Sequence, residues 1–253
     1  MNSVGILGVN VSCLDIEGIF ARVKEWVEGD QRRTILYVNA HCLNIASEDT
    51  YYHRLLNQAD IVYADGISVV WSSRILGGCK LKKNTNADWI GEFCLIAEQV
   101  SIQIYILAGE EGVAGKAKDN LLKEYPRIKI VGYGDGFFKG KSEIQVLNEI
   151  RTLSPHVLFV GMGTPRQEKW IFEHREEISA PVCWDVGALF DYISGKEPRV
   201  PHWLNAVGLE WFWRLLVDPV GKWERYVLGN PRFVIRILFQ KLGFRFPIFL
   251  KDD

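Results

Sequence analysis

Short runs rich in Val, Ile, Leu and Tyr recur along the chain at 4–9, 35–38, 61–64, 102–107, 128–132, 157–161 and 182–186. Runs of this length, bounded by Gly, Asp, Asn or Ser, predict strands. Between them, over 16–28, 43–57, 68–76, 88–99, 112–125, 142–153 and 166–178, apolar residues fall three and four apart. That spacing predicts helices. Strands alternating with helices predict an α/β fold, with a largely parallel sheet covered by helices on both faces. Ligands of such sheets sit beyond the C-terminal ends of the strands. The alternation stops near Gly195, where a stretch rich in Trp, Arg and Pro begins. The chain therefore divides into a core, 1–195, and a C-terminal helical appendage, 196–253. Neither part contains an internal repeat.

Composition adds one feature to this picture. The 253 residues are 48% hydrophobic, enough for a sizeable core, and the net charge is -1, which does not point to a nucleic-acid partner. The charge is uneven. Residues 196–253 hold ten Lys/Arg against six Asp/Glu, a net of +4, which leaves -5 on the core. The appendage also holds four of the nine tryptophans, Trp203, Trp211, Trp213 and Trp223. Its basic residues, Arg214, Lys222, Arg225, Arg232, Arg236, Lys241 and Arg245, alternate with large apolar ones. Two readings follow. One is an amphipathic helix pair packed on the core. The other is an interfacial element whose aromatics sit at headgroup depth while its cations meet lipid phosphates. The composition favours the second. A soluble enzyme whose appendage makes a homo-oligomer is a further alternative.

No run approaches the ~20 apolar residues of a membrane span. The start of the chain lacks the basic and apolar regions of a signal peptide. A cytoplasmic protein, peripheral on the inner face of the cell membrane, is expected. The five cysteines, Cys13, Cys42, Cys79, Cys94 and Cys183, are odd in number and show no CxxC spacing. They are expected to be reduced thiols rather than a disulfide framework or zinc site.

Candidate chemistry lies in the loops after strands. Asp65 follows I-V-Y-A and precedes Gly66. A general base projecting from a strand end fits that place, and so does the N-cap of the next helix. Asn39 and His41 follow I-L-Y-V; each is either a cleft residue or a structural one. The loop G-M-G-T-P-R-Q-E, 161–168, opens a helix. There Gly163 permits close backbone approach, Arg166 supplies charge beside free N–H groups, and Gln167 both donates and accepts hydrogen bonds. No cluster has metal-ligand spacing, and neither a P-loop nor a dinucleotide fingerprint is complete. No metal and no cofactor are expected.

Taken together, the motifs resemble the WecG/TagA/CpsF family, glycosyltransferase family 26. They are V-N-A-H (38–41), A-D-G (64–66), A-D-W (87–89), G-x-G-x-P-x-Q-E (161–168), D-V-G-A-L-F-D-Y-I-S-G (185–195), R-V-P-x-W (199–203) and G-L-E-W-x-W-R-L with a following D-P (208–219). The resemblance implies a Rossmann-like core. It also implies inverting, metal-independent transfer from a UDP-sugar, itself a substrate, to an undecaprenyl-diphosphate-linked acceptor in the building of cell-wall polymers. On that resemblance Asp65 is the catalytic base. Asn39, His41, Lys83, Asp88, Gly163, Arg166, Gln167 and Arg199 bind substrate, and Arg214 and Arg225 meet diphosphate charge. The chain departs from the family pattern in having Tyr37 where Thr is frequent, Lys83 where Arg is frequent and His156 in place of an Asp. Lys keeps the charge of Arg but not its bidentate geometry. These departures bear on the sugar: N-acetylmannosamine leads, with glucose or a uronic acid as alternatives. The rival class is a non-catalytic module that binds a nucleotide sugar or lipid.

Overall fold

A computed structural model describes residues 2–201, 203, 204 and 208–244. The chain opens with a two-stranded hairpin, β1 (Ser3–Ile6) and β2 (Val9–Ser12). A single strand over 4–9 was expected. The chain reverses instead at Leu7 and Gly8, whose φ values of 49° and 82° are both positive, as a two-residue turn of this hand requires. The Leu7 N–H donates to Gln240 Oε1 at 2.9 Å, so the appendage helps to hold the turn.

The central sheet has six strands in the order β4-β3-β8-β7-β5-β6, and every pairing is parallel. The strands are β3 (Arg33–Val38), β4 (Ile61–Ala64), β5 (Gln103–Ala108), β6 (Lys129–Gly134), β7 (Val157–Gly161) and β8 (Val182–Asp185). They alternate with α1 (Ile16–Glu28), α2 (Ala40–Ala46), α3 (Thr50–Gln58), α4 (Ile67–Leu76), α5 (Asn86–Gln99), α6 (Val113–Glu124), α7 (Glu143–Leu153), α8 (Arg166–Glu173) and α9 (Leu189–Ile193). The arrangement is Rossmann-like. The helix expected over 43–57 is two helices. Ser47 ends α2, and the Asp49 carboxylate accepts the Tyr52 N–H at 2.9 Å to start α3. Ser and Asp satisfy backbone groups at helix ends better than they continue a helix.

One aromatic core holds the layers together. Trp184 of β8 stacks on Trp89 of α5 with centroids 4.5 Å apart, and Phe20, Phe93, Phe159 and Tyr63 surround it. Polar bonds run through the same region. Trp184 Nε1 donates to Tyr63 Oη at 3.1 Å, Tyr63 donates to Asn86, and Asn86 Nδ2 donates to the Val186 carbonyl at 3.0 Å. The start of α5 is thereby pinned beneath the ends of β4 and β8. His156, one of the departures from the family pattern, is structural: its Nδ1 accepts the Gln103 N–H at 3.1 Å.

Two cysteines depart from expectation. Cys13 and Cys79 are joined as a disulfide with Cα atoms 6.2 Å apart, across a separation of 66 residues. The turn at Gly77, with φ of 77°, folds the chain after α4 back toward the end of β2. Spacing along the sequence cannot reveal that approach. Cys42, Cys94 and Cys183 are free and buried.

The appendage is α10 (Glu210–Val217), α11 (Pro219–Trp223), a π-helical turn (Glu224–Leu228) and α12 (Gly229–Lys241). Helix α12 packs on α2 and α4. Arg236 was expected among surface cations but is 8% exposed. It donates to Asn44 Oδ1 at 2.9 Å and Glu48 Oε1 at 2.6 Å, and Arg232 joins Glu48 at 3.1 Å. A guanidinium this enclosed needs partners from the protein, and α2 supplies them. Arg245 lies outside the described residues.

Candidate active site

The C-terminal ends of β3 and β4 open into a cleft of about 500 Å³, covered from above by the appendage. That volume lies within the range of roughly 300–1,000 Å³ usual for small-molecule sites. Its floor is Asn39, His41 and Asp65; Lys83 enters from the loop before α5, and Glu210, Arg214 and Arg225 come down from the appendage. Six of the residues expected to act on substrate thus meet in one place: Asn39, His41, Asp65, Lys83, Arg214 and Arg225.

Asp65 does not cap the helix that follows it. Gly66, at φ of 101°, is the residue before α4 and no side chain caps that helix. The carboxylate is left for the cleft, where it is half-buried. Its pKa is raised to about 6. Burial is the main cause, because it penalises the charged form, and the negative charge of Glu210 adds to it. Arg214, a hydrogen bond from Asn39 and Arg225 pull the other way. Asn39 has two tasks, since its Oδ1 also accepts the N–H groups of His41 at 3.0 Å and Cys42 at 3.2 Å and so caps α2. His41 is pushed down to about 4, by burial first and then by Arg225 and Lys222. It is therefore neutral and weakly basic at pH 7, while Asp65 is ionised and is the stronger base of the two.

The two appendage arginines differ. Arg214 pairs with Glu210 one turn earlier and lies over the Tyr192 ring at 5.2 Å. Burial alone would lower its pKa, but Glu210, with Tyr192, Tyr226 and Asp65, together more than offset this, so Arg214 keeps its charge. Arg225 lies over the Tyr226 ring at 5.3 Å, and its Nε is buried with no hydrogen-bond partner among the described residues. A buried donor left unpaired costs about 1–3 kcal/mol, so an anion in the cleft would relieve it.

The other expected site residues lie elsewhere. Asp88 and Arg199 form an ion pair at 2.9 Å beside the cleft, next to Arg214, and Lys83 reaches Asp88 at 3.8 Å. Gly163 and Arg166 are on the far side of β3, beyond β8, at the exposed end of β7. Arg166 stacks on Phe137 at 4.8 Å and on Phe138 at 5.8 Å. Gln167 is fully buried. Its amide nitrogen reaches Tyr37 Oη and Asp185 Oδ2, both at 3.4 Å, while its oxygen accepts the Gly187 N–H at 3.2 Å. Gln167 therefore ties the ends of β3, β7 and β8 together from within the protein and does not line the cleft. Around it lies a pair of buried carboxyl groups, Glu168 and Asp185, that the sequence did not single out. Burial pushes both upward, Asp185 well above the ordinary carboxylate range. Glu168 Oε1 accepts from Thr164 Oγ1 at 2.8 Å and Tyr52 Oη at 3.2 Å.

A model of the Glycosyl transferase WecG/TagA/CpsF family matches residues 4–246. The chain belongs to this family. It is 29% identical over 215 residues to the N-acetylglucosaminyldiphosphoundecaprenol N-acetyl-beta-D-mannosaminyltransferase of Bacillus subtilis (strain 168), a match covering 85% of this chain and 82% of the relative. To the protein of that name from Bacillus spizizenii it is 30% identical over 193 residues, 76% of this chain and 74% of the relative. To that of Staphylococcus aureus (strain NCTC 8325) it is 27% identical over 224 residues, 88% of this chain and 86% of the relative. The protein is a glycosyltransferase.

In this glycosyltransferase the sequence reading missed Glu210. The signal was present: Glu210 stands four residues before Arg214 on a helical stretch, the spacing at which opposite charges meet. It also missed Trp71 and Ile75 of α4, which line the cleft opposite α12. Among the described residues no group of three or more His, Cys, Asp or Glu side chains is placed to hold a metal ion.

The electrostatics give a direct expectation. In a carbon-13 carboxyl NMR titration, Asp65 should titrate near pH 6. Glu210→Gln should move that midpoint to lower pH, because removing a neighbouring negative charge makes the ionised form easier to reach. An Asp65 midpoint near 4 in the unaltered protein would contradict the electrostatic description.

Proposed function

We propose that this glycosyltransferase moves N-acetylmannosamine from its UDP derivative to the N-acetylglucosamine of an undecaprenyl-diphosphate-linked acceptor. The observation that carries the reading is a half-buried carboxylate at the end of β4, with pKa raised to about 6, facing two arginines across one cleft. The named activity of the relatives supplies the substrates. Asp65 would remove the proton from the acceptor hydroxyl as its oxygen attacks the anomeric carbon. UDP would leave from the opposite face in a single inverting displacement. Charge on the diphosphates would fall on Arg214, Arg225 and Lys83 rather than on a metal ion, because preorganised donors and cations in a low-dielectric cleft stabilise developing charge. The residues grouped around Gln167 would position the ends of β3 and β8 without touching substrate.

Glucose or a uronic acid is the second reading for the donor, kept open by Lys83, which stands in the cleft where the family often has Arg. Mass spectrometry of products from a panel of UDP-sugars separates these. The appendage would bring the enzyme to the inner face of the membrane. No helix among the described residues is long and apolar enough to cross one. The appendage nonetheless presents Val220, 91% exposed, and Trp223, 55% exposed, close to Lys222. Apolar side chains inserted among cations suit an anionic leaflet.

Asp65→Asn should lower the transfer rate by about 10²–10⁴-fold, the usual contribution of general base catalysis, while UDP-sugar binding persists. The unaltered enzyme should turn over equally well in EDTA. Near-normal turnover by the variant would remove Asp65 from the base role, and loss of activity in chelator restored by Mg²⁺ would reinstate a metal. In flotation with anionic vesicles, Val220→Asp combined with Trp223→Asp should leave most of the protein unbound. Undiminished flotation would refute docking through this surface.

A further inference from the structure

The cleft has two chemically different ends. One is polar and holds Asp65, Lys83, Arg214 and Arg225; the other is a groove in which Trp71 and Ile75 of α4 face Phe233, Val234, Ile237 and Leu238 of α12. The groove walls are helices, so its shape does not depend on a loop. Trp71, Val234 and Leu238 remain 56%, 54% and 51% exposed although their helices pack together. Contiguous apolar surface of this kind is rare on a soluble monomer unless it binds something.

We infer that the groove between α4 and α12 holds the first isoprene units of a prenyl diphosphate. This rests on the reading that the acceptor is a lipid diphosphate. Three observations commit the groove to that occupant. It is continuous with the cationic end, so a ligand filling both must be an amphiphile whose hydrocarbon begins where its charge stops. A nucleotide sugar has no hydrocarbon to place there, which leaves the groove to the acceptor. Arg225 sits on the turn leading into α12 and keeps a buried Nε–H unpaired, so one short element offers a donor to the diphosphate and apolar side chains to the chain that follows it. The groove would then fix the acceptor's direction. With the isoprene units between α4 and α12 and the diphosphate at the arginines, the sugar is delivered toward Asp65. Recognition of the lipid is in this way built into the catalytic cleft, separate from the outward surface that meets the membrane.

The test is calorimetric binding of triprenyl diphosphate and of methyl diphosphate to the full chain, without detergent and below the micellar concentration. The unaltered protein should bind the triprenyl compound at least roughly tenfold more tightly, the scale expected when several apolar groups leave water. Trp71→Ala and Leu238→Ser should each remove most of that preference and leave methyl diphosphate binding unchanged. Ile235→Ser, equally exposed on α12 at 51% but outside the groove, should keep it. Equal binding of the two diphosphates by the unaltered protein would overturn the inference, as would an equal loss of preference in all three variants. If the groove is instead filled by residues 245–253 of this chain or by a second copy, Trp71→Ala and Leu238→Ser will lower thermal stability or alter the oligomeric state without changing the preference, which also overturns it. Because the readout is binding, it stands apart from transfer: a triprenyl preference without sugar transfer would support the groove while contradicting the proposed reaction.

Discussion

A carboxylate at the C-terminal end of β4 is taken partly out of water, and the rest of the cleft is arranged around that cost. Burial is the main cause of an Asp65 pKa raised to about 6, and the negative charge of Glu210 acts in the same direction. A carboxylate made easier to protonate is a stronger base, yet at neutral pH it still spends most of its time ionised. Arg214, Arg225 and Asn39 keep the shift from running further, to a point where the group would hold its proton. The balance depends on the appendage, because Glu210, Arg214 and Arg225 all belong to it. Those residues supply both the opposing charges that act on the strand-end aspartate and part of the cleft wall around it.

The fold supplies two kinds of support. The parallel sheet sets the ends of β3 and β4 side by side, so Asn39 and Asp65 meet without any long loop. Beneath them, the buried set of Gln167, Glu168, Asp185 and Tyr37 ties β3, β7 and β8 through hydrogen bonds that are shielded from water. In a low-dielectric interior each unpaired member of such a set would be costly, so the set tends to hold one arrangement. The appendage is secured differently, by Arg236 on Asn44 and Glu48 and by Gln240 on the first hairpin. Its outward face keeps the exposed aromatic and aliphatic residues.

Much of the fold could be read from periodicity, because parallel strands buried on both faces are continuous apolar runs and their helices are amphipathic. The strands at 61–64 and 157–161 and the helix at 16–28 coincide with β4, β7 and α1. What periodicity hides is any break caused by a single polar residue or turn. Ser47 and Asp49 divide a helix, and Leu7 and Gly8 reverse a strand. The disulfide between Cys13 and Cys79 was hidden for a related reason, since only the folded path brings β2 and the end of α4 together. For the site, spacing marked Asp65 as either a base or a cap, and only the backbone at Gly66 distinguishes the two. The motif around Gln167 drew attention because it is polar and follows a strand. Its side chain proved to face inward, where polar residues brace the site. Glu210 and the α4 wall of the cleft were missed because their importance comes from what faces them across the fold.

The proposed chemistry rests on Asp65 acting on the acceptor hydroxyl in one displacement. UDP-sugars are α-linked, so a single displacement must give a β-linked product. Proton NMR of the isolated product, made from UDP-N-acetylmannosamine and a short-chain N-acetylglucosaminyl diphosphate acceptor, reads the configuration at the new anomeric centre. A β linkage with one UDP released per sugar transferred is the expected result. An α-linked product would require a covalent intermediate or attack from the leaving-group face, and it would contradict the role given to Asp65.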